Sequence, residues 1–371
     1  MAGVRLRDVA ERAGVSIRTV SNAVNGYAPV SDEVRARVEA AVAELGYKPN
    51  LMARNFKRGR TGLITLVVPE LDVPYFSELA RAVITKARAH GYTVVVDQTD
   101  GEPDRERELV MRDSAASAMF DGVILSPLAL THADLARRGA DQPLVLLGER
   151  IAESAYDHVA IDNVAAARTA TEHLLDLGRR RIAAVGDQPW ESGETAQLRT
   201  RGFRDAHEAR GLAVEESLIV TTRRFHLASG AEAMTALLAH PQGPPDAVFC
   251  YNDLVALGAI RTLLTNGVRI PEDIAVVGFD DIEAGRYNTP TLTTISPDKT
   301  AIAQLAVDRL IARLDKEDET APAEFWAPYE LVVRESTVAA AGHPSLFSKD
   351  PKMGSTPRGV GASHWHERTG P

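Results

Sequence analysis

The sequence predicts a small all-α head carrying a helix-turn-helix, followed by an α/β core of two doubly wound parallel-sheet subdomains. Three features predict this. Residues 5–25, RLRDVAERAGVSIRTVSNAVN, read as two short helices around a tight turn. From residue 62, short apolar runs alternate with amphipathic helical stretches, and the alternation restarts after Asp162. Between head and core lies YKPNLMARNFKRGR (47–60), with five cations and no acid.

In the head, Leu6, Val9, Ala10 and Ala13 share one helical face, and Gly14 ends that helix. Ser16 is placed to cap the next helix through its hydroxyl, and Val20, Ala23 and Val24 give that helix its apolar face. The opposite face carries Ile17, Arg18, Thr19, Ser21, Asn22 and Asn25. Short polar groups with one cation suit a groove floor and phosphates, as when the second helix of the pair lies in a DNA major groove. A third helix is expected over 31–45. Ser31 caps it, Asp32 and Glu33 favour its positive end, and Val34, Val38, Ala41, Val42 and Leu45 form its core stripe. Gly46 closes it, and Tyr47 is expected to fold back on the three-helix core.

The charge is divided unevenly along the 371 residues, whose net charge is −9. Residues 1–60 hold eleven Lys/Arg against six Asp/Glu, while the remainder holds 31 against 45. A basic head on an acidic body is the electrostatic footprint of nucleic-acid binding confined to the head. Composition is that of an ordinary globular chain, 44% hydrophobic and 25% charged. The single Cys250 excludes an internal disulfide framework and reads as a buried strand residue. The opening MAGVRLRDVAERAG has charges where a signal peptide has an apolar stretch, and no run of about 18 apolar residues is present. The expectation is a cytoplasmic protein with no membrane partner.

In the core, LITLVV (63–68), TVVV (93–96), GVIL (122–125), LVLL (144–147) and VAI (159–161) alternate with helices near 76–90 and 105–119. After Asp162 come a helix at 164–177, RIAAVG, a helix at 195–210, a strand near 218, a helix at 228–239, AVFCYN, a helix at 253–266 and IAVVGFDD. Continuous apolar strands between helices mark parallel sheets covered on both faces. Two such halves facing each other make a cleft, with a ligand outside the carboxyl ends of the strands. Polar and aromatic residues gather there: Tyr75, Phe76, Ser126, Arg199, Phe225, Asn252 and Asp280. Arg and Asp beside aromatic faces suit a hydroxyl-rich ligand, through paired hydrogen bonds and stacking on C–H faces. Asp253 reads as a cap for the helix after it.

Catalytic and cofactor motifs are missing from the sequence: it has no phosphate loop, no Gly-x-Gly-x-x-Gly after a strand, no His-Glu-x-x-His and no Gly-x-Ser-x-Gly. Asp280 and Asp281, as strand neighbours, point to opposite faces and do not share a proton. No cofactor, metal site or catalytic residue is expected. Residues 338–371 lack periodicity and are rich in Gly, Pro and Ser, so a disordered tail is expected, with His364 and His366 as solvated side chains.

The spacing of Ala10, Gly14, Val15, Ser16, Thr19, Val20 and Ser21, continued by VSDEVRARVEAAVAELGYKPN (30–50), resembles the DNA-binding headpiece of the LacI/GalR family of bacterial transcription regulators. The resemblance runs on through a periplasmic-binding-protein-like core to about residue 337. It implies a headpiece at 1–46, a hinge helix at 47–61 and an effector-binding, dimerising core at 62–337. Subdomain one would comprise 62–161 plus about 291–322, and subdomain two 162–290 plus about 323–337, joined by three crossovers. Ile17, Arg18 and Asn22 match the family's base readers: Arg suits guanine, Asn adenine, and Ile a methyl group. Ser16, Thr19, Ser21, Asn25, Ser31, Tyr47 and Asn50 are read as phosphate positioners. In the hinge, Ala53 and Phe56 are placed on DNA, with Phe56 as the minor-groove wedge where most relatives carry Leu. These seven cleft residues resemble the family's effector contacts, Arg199 and Asp280 most strongly; Gly148 stands where some sugar-responsive relatives carry an acid, and the adjacent Glu149 is read as its substitute and as the eighth contact. The function implied is that of a homodimeric repressor on a pseudo-palindromic operator, controlled by a carbohydrate effector. An activator or dual regulator fits the same residues. A solute-binding protein would lack the basic head, and a sugar-metabolising enzyme would need a catalytic constellation.

Overall fold

The computed structural model describes residues 4–25, 29–47, 60–111, 119–138, 142–149, 151, 154–190, 194–315 and 320–339. The head comprises α1 (Leu6–Ala13), α2 (Ile17–Asn25) and α3 (Asp32–Leu45). Val9, Ala10, Ala13, Val20, Val38 and Ala41 form its core, with Tyr47 packed against it. Four of the helix ends are closed by local chemistry. Gly14 (φ 64) and Gly46 (φ 61) take the left-handed conformation that ends α1 and α3. The Ser16 hydroxyl accepts the Thr19 N–H at 3.0 Å, and Ser31 accepts that of Val34 at 3.4 Å.

The core has twelve described strands. They are β1 (Leu63–Val68), β2 (Thr93–Gln98), β3 (Gly122–Leu125), β4 (Leu144–Leu147), β5 (Asp157–Ala160), β6 (Ile182–Asp187), β7 (Ile219–Thr221), β8 (Ala247–Cys250), β9 (Ala275–Phe279), β10 (Thr293–Pro297), β11 (Glu324–Trp326) and β12 (Tyr329–Val332). One sheet runs β11-β5-β4-β3-β1-β2 with every pairing parallel. The other runs β12-β10-β9-β8-β6-β7, parallel except for β12 against β10. The central strands are continuous buried runs, as their sequences require, whereas β2 lies at a sheet edge and leaves Val95 39% exposed.

The helices that cover the sheets are α4 (Pro74–Ala89), α5 (Pro103–Val110), α6 (His132–Ala136), α7 (Asn163–Asp176), α8 (Glu194–Ala209), α9 (Leu227–Leu238), α10 (Asp253–Thr265), α11 (Glu283–Arg286) and α12 (Lys299–Asp315). The expected helix at 105–119 stops at Val110, and residues 112–118 lie outside the described residues.

The chain crosses between halves three times, but not where the subdomain boundaries were expected. Strand β10 (Thr293–Pro297) pairs with β9, so residues expected to return to the first half at about 291 still belong to the second sheet. The return begins with α12, whose far side is tied down by Arg309 and Arg313 on the buried Asp157 of β5. Likewise β11, expected in the second half, extends the first sheet beside β5, and only β12 rejoins the second. An apolar pattern shows that a segment is a strand; which free sheet edge it pairs with is a tertiary matter. The expected tail from 340 onward, and the hinge positions Asn50, Ala53 and Phe56, lie outside the described residues.

One buried carboxylate fixes a wall of the cleft. Glu106 on α5 is 0% exposed and accepts the N–H groups of Leu128 (2.8 Å), Ala129 (2.8 Å) and Leu130 (2.9 Å). A loop that turns away from a sheet takes such donors off the ladder, and the one buried carboxyl group accepts from all three. Replacement Glu106→Ala is expected to cost roughly 2–4 kcal/mol by leaving these donors unmet, seen as a lower urea midpoint. An unchanged midpoint would remove this role.

Candidate effector cleft and DNA-facing helix

A cavity of about 280 Å³ lies between the two halves at the carboxyl ends of the strands. This is near the lower end of small-molecule sites, which span roughly 300–1,000 Å³. All eight residues expected there line it: Tyr75, Phe76, Ser126 and Glu149 from the first half, Arg199, Phe225, Asn252 and Asp280 from the second. Most follow the carboxyl end of a strand, where polar side chains escape the sheet's apolar layers, whereas Arg199 projects from within α8.

Arg199 is the most constrained. It is 6% exposed on α8 and packs face-on against Phe279, its guanidinium carbon 3.5 Å from the ring centroid. Its Nε donates to Asn163 Oδ1 at 2.8 Å, and Nη1 donates to the Tyr251 carbonyl. Asn163 in turn donates to Glu149 Oε1 at 2.5 Å, and Thr195 donates to Glu149 Oε2 at 2.6 Å. Glu149, which follows β4 of the first half, is therefore held by two residues of the second. Burial lowers the Arg199 pKa, while Asp280 and Glu149 oppose that shift. A guanidinium starting so high stays cationic at neutral pH.

Asp280 is 7% exposed and lies just past the end of β9. Asp280 (φ 110) and Asp281 (φ 50) both take positive φ, a sharp turn that costs strain for non-glycine residues. The turn separates the two carboxylates. Asp281 pairs with Arg286 (2.8 Å) and Arg334 (2.7 Å), which hold its pKa low against burial. The Asp280 carboxylate faces the cavity, and among the described residues no hydrogen-bond donor meets it. Burial pushes Asp280 up to about 7 despite Arg199 and Lys299, with Glu149 and Glu78 adding to the rise. Arg199 and Asp280 attract across the cavity without forming an ion pair among the described residues, so a ligand fits between a donor group and an acceptor group.

The remaining lining is apolar or already engaged. Tyr75 and Phe76 meet edge-on with centroids 5.2 Å apart. Asn252 is committed to structure as well: its carbonyl caps α10 by accepting Val255 N–H (2.9 Å), and its amide donates to the Phe225 carbonyl (3.0 Å). This corrects the expectation that Asp253 is the cap. Asp253 sits inside the first turn, fully buried, and accepts from Ile282 N–H and the Thr294 hydroxyl. Sequence reasoning missed Asn163 and Thr195, although Asn163 follows a strand end just as most other cleft residues do.

In the head, Ile17 is 49% exposed, Arg18 is exposed, and Asn22 is half-buried on α2. Ser16, Thr19 and Ser31 are at the surface or partly so, while the Asn25 side chain lies outside the described residues. Ser21 is corrected: it is only 7% exposed, because its position on α2 follows Val20 into the three-helix core. Sequence reasoning also missed Arg37. Its Nη2 donates to the carbonyls of Ala13 (2.5 Å) and Gly14 (3.1 Å), pinning the turn between α1 and α2 from α3. No pattern in the sequence marks it, since it reads as a solvated arginine on a polar face.

These arrangements give two expected outcomes. Arg37→Met keeps the aliphatic stem and removes both bonds, so amide exchange at the turn should speed roughly tenfold, equivalent to about 1.4 kcal/mol. Because the folded Asp280 pKa lies above the unfolded value of 3.8, ionising it costs stability, a cost that grows as pH rises from about 4 and levels above about 7. Asp280→Asn should therefore stabilise the chain by roughly 2–3 kcal/mol more at pH 8 than at pH 5 in urea unfolding. An equal effect at both pH values would show that the carboxylate is not desolvated.

Comparison with known proteins places both parts. Residues 5–50 match the bacterial regulatory proteins of the lacI family, and residues 171–337 match the periplasmic binding protein-like domain. The chain is 36% identical over 335 residues to the ribose operon repressor of Halalkalibacterium halodurans, covering 90% of this chain and 96% of that protein. A solved LacI-family regulator from Sanguibacter keddieii is 42% identical, with a TM-score of 0.69 over 76% of this chain and all of its own. The Lac repressor dimer bound to operator and the anti-inducer ONPF is 28% identical, with a TM-score of 0.77 over 91% of this chain and 100% of its own. A head and a two-sheet core of this kind, matched along nearly the whole chain, make this protein a member of the lacI family of bacterial transcriptional regulators, a family of DNA-binding proteins and not of enzymes.

Proposed function

We propose that this chain is a cytoplasmic, homodimeric repressor whose operator affinity is set by a carbohydrate bound between the halves of its core. In this reading two heads bind a pseudo-palindromic operator, Ile17, Arg18 and Asn22 reading base edges. Ser16, Thr19, Asn25, Ser31, Tyr47 and Asn50 contact phosphate, and Ala53 and Phe56 belong to the hinge on the minor groove.

One observation carries the effector side: Asp280 and Arg199 face one small cavity beside Tyr75, Phe76 and Phe225, with the Asp280 carboxylate met by no donor among the described residues. Sugar hydroxyls donate to such a carboxylate and accept from the guanidinium, and a sugar's C–H face stacks on rings. The cavity volume suits a monosaccharide-sized ligand. The relative named a ribose operon repressor makes ribose the first candidate to test.

Helix α12 supplies a route for coupling. It starts at the cleft, where Lys299 Nζ donates to the Asp280 carbonyl. It ends at Leu314 and Asp315, both of which accept from Arg60, the last residue of the linker stretch 47–60. A ligand that moves the Asp280 turn would shift a rigid rod at whose far end the linker enters the core. Couplings of about 1–3 kcal/mol, or 5- to 150-fold, are typical of such systems.

The test is a fluorescence-anisotropy titration of the protein with its own upstream DNA at fixed salt, with and without a panel of monosaccharides that includes ribose. One sugar is expected to weaken specific binding at least fivefold. Asp280→Ala should keep DNA binding and lose the response, and Arg18→Ala should weaken specific binding by about 1–3 kcal/mol while sparing nonspecific binding. A sugar that strengthens the complex would reverse the effector's sign. No specific complex at all, with Arg18→Ala indistinguishable from the parent, would overturn the reading.

A further inference from the structure

The cavity's solvent edge carries a contact that the ligand-binding groups do not explain. Glu70, in the loop after β1 of the first half, accepts from His226 Nε2 at 2.7 Å and faces Arg224 Nη1 at 3.5 Å. His226 and Arg224 belong to the second half, directly before α9. All three stand at the mouth and not the floor: the side chains of Arg224 and His226 are 65% and 32% exposed, against 6% and 7% for residues Arg199 and Asp280. Glu70 itself is 17% exposed, so the carboxylate is largely shielded while its partners reach out to it.

Both sides of this contact are anchored within their own half. Leu71 N–H donates to Gln98 Oε1 (2.8 Å), and Gln98 Nε2 donates to Asp100 Oδ1 (2.6 Å), tying the Glu70 loop to the end of β2. On the other side, Gln188 donates to the Thr222 and Arg223 carbonyls, and Asn252 donates to that of Phe225, tying the His226 segment to β6 and β8. Each loop is held to its own half, so movement of the halves apart separates Glu70 from its partners.

We infer that Glu70 is a mouth latch: its carboxylate, shared by His226 and Arg224, holds the two halves closed before an effector arrives, so that access to the cavity requires its release. This rests on reading the cavity as the effector cleft, whose lining includes Glu70 and Arg224, and it adds a residue that governs closure. A partly shielded carboxylate with one hydrogen-bond partner and one ion-pair partner is a stronger tie than a fully exposed pair, yet weak enough to open reversibly.

The test needs no effector. Nitroxide labels at Asp72→Cys and Ala228→Cys, each two residues from the latch, report the mouth width by pulsed dipolar EPR in the full-length protein. The native thiol Cys250 is 0% exposed with its pKa raised by burial, so it stays unlabelled. The parent is expected to give one dominant short distance. Glu70→Gln should raise the ratio of open to closed populations three- to tenfold, and the swap Glu70→Lys with His226→Glu should restore the short distance. Raising the salt from 50 mM to 1 M should open the parent and leave Glu70→Gln unchanged. If Glu70→Gln fails to fold by circular dichroism, Arg224→Gln with His226→Gln makes the same test from the other side. A distance distribution identical in parent and variants would overturn the latch, even if a sugar releases operator DNA. An opened mouth in a protein that no sugar affects would leave the latch standing and count against the effector reading.

Discussion

A single buried guanidinium organises the cleft. Arg199 is taken out of water by α8 and packed on Phe279, which is tolerable only because nearby acceptors and carboxylates compensate the lost hydration. Asn163 is one of these acceptors, and because it also donates to Glu149, the compensation reaches across to the opposite half. Arg199 thereby couples a solvation requirement to the distance between the two halves. Opening the cleft would pull Glu149 from Asn163 and Thr195, and a ligand seated beside Arg199 and Asp280 would alter the same balance.

The two halves gain their rigidity from a different source. Continuous buried central strands, covered by helices, leave little freedom within a half, so the soft coordinate lies between the halves. Three crossovers at the same edge restrict that motion to a hinge. Helix α12 lies against the first half yet begins at the hinge and ends at Arg60. It is suited to carry a change at Asp280 toward the linker because a helix transmits displacement along its axis without internal rearrangement.

The head depends on caps more than on burial. Its core consists of a few valines and alanines, which is little apolar area for three helices. Gly14, Ser16, Ser31 and Gly46 satisfy the helix ends, and Arg37 adds bonds to the turn itself. These polar contacts fix the helix ends and the turn on which the exposed Ile17 and Arg18 are carried.

Much of this was legible in the residue order. Local features are dictated by local physics: glycine at positive φ, hydroxyl caps, and strand periodicity each depend on neighbours within a few residues. That is why the head, the alternating core and the eight cleft residues were all placed from sequence, and why each of those eight lines the cavity. Most of what the sequence left open shares one cause. The sheet that β10 or β11 joins, the burial of Ser21 and the roles of Asn163 and Arg37 all depend on groups distant in the chain, whereas the choice of Asn252 over Asp253 as cap is a one-residue shift in where α10 begins. Edge pairing and long-range hydrogen bonds are decided by which partners the folded chain brings near, and a one-dimensional pattern carries no record of that. The sequence by itself determined the elements and the chemistry available at their ends; the tertiary structure alone decided which of those groups compensate one another's charge across the cleft.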